Sequence, residues 1–238
     1  KESLISQKCA AVKYADGFCA DVLLFKSRDF EGVQKSIDEA KTELQVKAVI
    51  NTTGILDSHG DVHVKGIWNK SIKENPRMLH VQEHKSNEFN KIISSGDDLK
   101  VSVKTYSWKE LGYDAEGETQ ALVFDSTVKQ ARNPYMFEQY KNGYVDNHSV
   151  GMRYVKLDLA INDEDYLAEK ALWDAHIGGI VNGSAAEDKG YFWVVTEAKV
   201  IEGSSVPNGS NPVTPTISIK NEILPTPKEL AIKAFLGL

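Results

Sequence analysis

The sequence predicts a β-rich α+β domain: short strand-like runs are many, helical runs are few, and the two do not alternate as they would in a parallel α/β sheet. Closing such strands into a barrel is the arrangement that would leave fewest exposed edges. With 238 residues, 41% apolar and 26% charged, the chain can bury one good core, so a single elaborated domain is expected.

Taken in order, AAVKYADGFCADVLLF reads as two short strands around Asp16-Gly17, a dipeptide suited to a hairpin turn with positive φ. From Phe30, apolar residues at Val33, Ile37, Ala40 and Leu44 recur at spacings of three and four, which predicts an amphipathic helix packed on the core. These pieces form an N-terminal unit over 1–45, ahead of a main domain over 46–220. VKAVIN predicts a strand, the passage through DSHGDVHVKGIW a loop, and MLHVQEH, KVSVKTYSW and ALVFDS three more strands. Helical spacing returns over about 128–140, followed by a strand carrying HSVGM. Asn162 and Asp163 can cap a helix in DEDYLAEKALWDAHIGG, which Gly178-Gly179 would end, and the stretch over about 162–189 reads as a helical insertion between two strands. YFWVVTEAKVIE is the most strand-like run, GSSVPNGSNPVTP is turn-dense, and TISIK is a last strand. The tail over 221–238 is bounded by prolines and carries an apolar stripe at Leu230, Ala231, Ala234, Phe235 and Leu238, so it predicts an amphipathic helix that needs a surface to pack on, in its own domain or in a neighbouring copy.

Composition narrows the function classes. The net charge of −6 gives no global basic footprint for nucleic acid. No apolar run approaches the ~20 residues of a membrane helix and no signal peptide opens the chain. Two cysteines make no disulfide framework and fit a reducing cytoplasm. No metal or organic cofactor is implied, although Asp57, His59, Asp61 and His63 in LDSHGDVHV are metal-ligand types. Gly54, Ser58 and Gly60 make that run a turn, in which Asp57 and Asp61 would bond nearby backbone N–H groups.

Ser149 is the residue that raises a chemical question. A serine attacks an acyl carbon only when a base takes its proton, and six histidines are candidates. His148 is adjacent, yet neighbouring strand residues point to opposite faces, so it should diverge from Ser149. Strict alternation puts Ser149 with Val155, Leu157 and Leu159, with Gly151 leaving room beside it.

The order of motifs then carries a resemblance. A DSHGD turn, GIW, a strand ending in QEHK, a helix, HSVGM on a strand, and VIEGSSV before an NGSNP loop together resemble the HK97-type phage prohead proteases, relatives of the herpesvirus assemblins. The likeness spans about 46–220. The loop lacks the family's usual alanine, glycine follows Glu202 where valine is common, and the interval from Ser149 to Glu202 is about twice the usual one, an excess that the insertion accounts for.

The resemblance implies a β-barrel surrounded by helices and a serine endopeptidase. Ser149 would be its nucleophile, His84 its general base, and Glu202 the residue orienting the imidazole, with Glu197 in VTEAK as rival. On a regular strand Glu197 and Glu202 should face opposite ways, Glu202 lying with Ala198 and Val200. Backbone N–H groups from Gly151 to Arg153 are candidate oxyanion donors. The implied substrates are major capsid protein and scaffold segments inside the assembling prohead, in the host bacterial cytoplasm, with self-processing and homo-oligomerisation as further expectations. Two rival readings stand beside it: an inactive module of the same fold acting in capsid assembly, and a metal hydrolase using His59 and His63.

Overall fold

A computed structural model describes residues 2–13, 34–36, 41–75 and 77–220. In chain order its elements are helix α1 (Glu2–Ala10), strands β1 (Val12–Lys13), β2 (Gln34–Ser36), β3 (Glu43–Thr52) and β4 (Asp61–His63), helix α2 (Asn69–Glu74), strands β5 (Leu79–Gln82), β6 (Ile92–Ser95), β7 (Leu99–Ser107) and β8 (Glu118–Lys129), helix α3 (Pro134–Lys141), strand β9 (His148–Ile161), helices α4 (Leu167–His176) and α5 (Gly183–Lys189), and strands β10 (Tyr191–Ser205) and β11 (Thr216–Lys220). The fold is mixed α+β with two sheets, one ordered β1-β9-β10-β5-β6 with β4 also on β10, the other β2-β11-β3-β8-β7.

Both sheets are open, and the closed barrel expected from the sequence is not found among the described residues. Where β9 approaches the other sheet, a side chain takes the place of a strand ladder. The His148 N–H donates to Thr214 Oγ1 (3.2 Å), and the Thr214 hydroxyl donates back to the His148 carbonyl (2.8 Å). A main chain whose groups are met by a side chain has nothing left to offer a neighbouring strand.

The main core lies between the sheets. Val46, Ala48 and Ile50 of β3 and Phe124 of β8 meet Val150 and Met152 of β9 and Val200 of β10. Each of these side chains larger than alanine contributes roughly 1.5–3 kcal/mol by leaving water. A second cluster, with Trp173 of α4, Ile180 between the two helices and Ala186 of α5 against Phe192 and Val194, packs the helices between β9 and β10 onto the far end of that strand pair. Among the described residues no helix is long and apolar enough to cross a membrane.

Several local expectations are corrected. Gln34–Ser36 form a strand parallel to β11 and Leu44 lies in β3, so at these positions tertiary strand pairing overrides the helical spacing, while Phe30, Val33, Ile37 and Ala40 lie outside the described residues. Helix α3 starts at Pro134 rather than near 128, because β8 runs on to Lys129 and Asn133 Oδ1 caps the helix through the Met136 N–H (3.0 Å). Helix α4 starts at Leu167, and Asp163 instead closes a short turn by accepting the Asp165 N–H (2.9 Å). β10 continues through Gly203–Ser205, residues read as a turn. Glycine is required there, since a Cβ on Gly203 would sit 2.5 Å from the Phe124 ring. The hairpin around Asp16-Gly17 and the tail over 221–238 lie outside the described residues.

Candidate functional site

Three irregularities in the β9–β10 ladder decide which side chains meet. Thr196, Val155 and Ile201 are each an unpaired extra residue. The Val155 bulge returns Leu157 to the inter-sheet core and leaves Val155 itself 48% exposed, so the apolar serine face read from alternation does not form. The Ile201 bulge is more consequential. Ala198 and Val200 belong to the core, and strict alternation would take Glu202 there too, but the extra residue turns Glu202 to the opposite, outer face of the sheet.

On that face the ladder pairs Glu202 with Gly151 and Ser204 with Ser149. Gly151 is small for a reason the sequence did not disclose: a Cβ there would lie 2.0 Å from Glu202 Oε1. The space beside Ser149 is therefore filled by a carboxylate. His84 arrives from the neighbouring strand β5. It follows Gln82 through a tight turn in which both Glu83 (φ 50°) and His84 (φ 58°) adopt the left-handed region, a strained choice for non-glycine residues. Three hydrogen bonds hold the turn: Glu83 N–H to the Ser205 carbonyl (3.0 Å), His84 N–H to Ser204 Oγ (2.7 Å), and Lys85 N–H to the Gln82 carbonyl (3.0 Å).

The turn brings the imidazole over β10, where His84 Nδ1 lies 2.6 Å from Glu202 Oε1. Because the carboxylate accepts, Nδ1 carries the proton and Nε2 is the basic atom of the neutral ring. Burial pushes the Glu202 carboxyl above its ordinary range, while the bond to His84 and the Gly151 N–H pull it back.

Ser149 is 2% exposed, and among the described residues its hydroxyl has no hydrogen-bond partner. Glu202, Ser204 and Ser149 thus share one face with His84 bonded to the first two, while the serine makes no bond to the imidazole. A proton relay from hydroxyl to imidazole would require Ser149 Oγ to come within hydrogen-bond reach of His84 Nε2, a contact not made here. Glu197, the rival carboxylate, is held at the surface by Lys70 (3.0 Å) and Lys156 (3.2 Å), which depress its pKa.

His148, His80 and His63 have separate partners. His148 points into the inter-sheet core, where its Nδ1–H donates to the Thr214 carbonyl (2.9 Å) and its Nε2 accepts from the Tyr140 hydroxyl (3.0 Å). His80 joins the same network through Ser126 Oγ (2.8 Å), Ser205 Oγ (3.0 Å) and the Tyr140 hydroxyl (3.2 Å). Burial lowers both pKa values, that of His148 to about 4.

His63 bonds Asn51 and Tyr154. In the DSHGD turn, Asp57 Oδ1 accepts the N–H groups of His59 (2.8 Å) and Asp61 (2.9 Å), the turn role read for Asp57. Asp57, His59 and Asp61 do bring ligand-type atoms within 4.8 Å of one another. Asp61, however, is already paired with Lys8 (2.5 Å) and Tyr154 (2.5 Å), so a cation there would compete with an ammonium.

Sequence reasoning missed Ser204, which accepts the His84 N–H and donates to the Val81 carbonyl (3.2 Å), fixing the imidazole's backbone opposite Ser149. The signal was present as the spacing of Glu202 and Ser204 by two, hidden by ending the strand early. Comparison with known proteins finds no matching family model, no matching curated protein and no matching solved structure.

Proposed function

We propose that the chain is a serine endopeptidase of the prohead-protease type, acting on capsid and scaffold segments during phage head maturation in the host bacterial cytoplasm. The observation that carries this reading is the buried His84–Glu202 bond of 2.6 Å on the sheet face that also holds Ser149. In the mechanism, Ser149 Oγ bonds to a peptide carbonyl carbon as its proton moves to His84 Nε2, and the carbonyl oxygen becomes an oxyanion. Glu202 keeps the ring oriented and stabilises its cationic form. Collapse breaks the C–N bond while Nε2–H protonates the departing amine, and water then releases the acyl group by the reverse relay. The assemblin-like barrel belongs to the same proposal, with the two facing sheets as its halves.

A second reading, an inactive assembly module of this fold, is favoured by the near-complete burial of Ser149 and its unengaged hydroxyl. Incubating wild type and Ser149→Ala with the cognate capsid and scaffold proteins separates the two. Cleavage by wild type, reduced by several powers of ten in the variant, is the expected result. Equal cleavage by both would remove Ser149 as nucleophile, and none by either would leave the inactive module.

A further inference from the structure

The next outward-facing pair after Gly151 and Glu202 consists of two cations: Arg153 of β9 stands directly across the ladder from Lys199 of β10. Their neighbours in sequence, Met152, Tyr154, Ala198 and Val200, belong to the inter-sheet core, so both cations point away from it, to the face that holds Ser149, Glu202 and Ser204. Both are exposed. Like charges directly opposite on a ladder repel. Among the described residues neither cation has an ion-pair partner, and the carboxylates of the adjacent rungs are committed elsewhere: Glu202 to His84 (2.6 Å), Glu197 to Lys70 (3.0 Å) and Lys156 (3.2 Å).

The pair lies on an exposed stretch of that face. Toward one end the helices between β9 and β10 cover the sheet, Trp173 and Ala186 packing on Phe192 and Val194. Toward the other lies the turn that carries His84. Arg153 is four residues from Ser149 along one strand, a distance of about 13 Å that an extended polypeptide also spans in about four residues. Ladder partners hold their Cβ atoms about 4.5–5.5 Å apart, close enough for a guanidinium and an ammonium to share one carboxylate.

We infer that Arg153 and Lys199 form a specificity subsite for an acidic side chain of the polypeptide substrate, an aspartate or glutamate about four residues from the scissile bond. This rests on the serine-endopeptidase reading above and adds a sequence preference to it. A substrate carboxylate between the two cations relieves their repulsion as it docks, so the attraction is gained on binding. A basic side chain at the same place adds a third like charge, so the pair selects against such a substrate as well as for an acidic one. Because both cations face water, the preference weakens as salt rises.

Digestion of a proteome-derived peptide library by the full chain at low salt, with the cut sites read by mass spectrometry, tests this. Wild type is expected to enrich Asp or Glu about threefold or more at one position, about three to five residues from the cut bond, and added salt to weaken the enrichment. Lys199→Glu, which sets opposite charges across the ladder, is expected to lose the enrichment while its urea midpoint holds or rises, separating lost preference from lost fold. The double variant Arg153→Glu and Lys199→Glu is expected to enrich Lys or Arg at that position instead. A wild-type preference blind to acidic residues, or one that survives charge reversal, overturns the inference and leaves the endopeptidase reading standing. Charge reversal that changes only the oligomer size in light scattering makes the pair an interface between copies of the chain, and the inference falls. A library left uncut by wild type overturns both the inference and the reading it rests on.

Discussion

At the residue scale, the site turns on a carboxylate placed by one extra residue. Glu202 is 0% exposed, and its raised pKa means that folding disfavours its charged form. A raised carboxyl adds stability that is complete below its unfolded pKa and is lost as pH rises through the folded value. Glu202→Gln removes that dependence. Comparing urea unfolding of the two proteins from pH 4 to 7 is therefore expected to show the variant gaining on wild type as pH rises. On the proposed endopeptidase reading, activity should move the other way, falling about a hundredfold or more because an amide no longer stabilises the charged imidazole. Gly151→Ala tests the same packing, since its Cβ cannot coexist with Oε1 at 2.0 Å. It should cost on the order of 1–3 kcal/mol in denaturant unfolding and lose activity with Glu202 displaced. Ser149, His84 and Glu202 were legible because their motifs occur in a recognisable order. Their common face was not, because it depends on the unpaired Ile201, and a bulge leaves no mark in a pattern of apolar and polar letters.

At the scale of elements, the two strands that carry the site are braced from behind by a polar network. Tyr140 of α3 bridges His148 of β9, His80 of β5 and Ser205 of β10, all buried in the inter-sheet core. The Tyr140 hydroxyl donates to His148 Nε2, because His148 Nδ1–H is committed to the Thr214 carbonyl, so a neutral imidazole is built into the arrangement. Both histidines have pKa values below the usual 6.5, and the unfolded chain therefore binds more protons than the folded one as pH falls from there. For His148, a drop to about 4 corresponds to a loss of roughly 3 kcal/mol of stability between pH 6.5 and 4, with His80 adding in the same direction. Chemical denaturation at pH 7, 6 and 5 should show this decline, and Tyr140→Phe should lower stability at all three by about 1–3 kcal/mol because it strands buried acceptors. A midpoint that does not fall on acidification would refute the neutral network. The sequence offered the alternation that sends His148 away from Ser149. It did not offer the partners, which come from four separate segments joined only by the fold.

At the scale of the whole molecule, the two sheets are tied together through the loop that follows β10. Asn211 is 1% exposed and uses every polar group it has: its Nδ2 donates to Asn51 Oδ1 (2.9 Å) and the Thr52 carbonyl (3.0 Å), and its Oδ1 accepts from the Val213 N–H (2.9 Å) and the Thr52 hydroxyl (3.0 Å). Asn51 in turn meets His63 next to β10, so one amide links the end of the site-bearing sheet to β3 of the other. An NP loop read from sequence as a strand breaker is in the fold a seam fastener, a role invisible without its partners 160 positions away. Asn211→Leu keeps the volume and deletes four bonds, leaving the Val213 N–H and the Thr52 groups buried and unmet. Since each orphaned group costs about 1–3 kcal/mol, a loss on the order of 3 kcal/mol or more in urea unfolding is expected. Because Ser149 lies in β9 and His84 in the turn that leaves β5 and is bonded to β10 of the same sheet, their mutual geometry is set within that sheet. Fluorophosphonate labelling of Ser149 at low temperature, where the variant is still folded, should therefore stay close to wild type. Labelling lost at temperatures where circular dichroism still reports native structure would mean that the second sheet shapes the site directly.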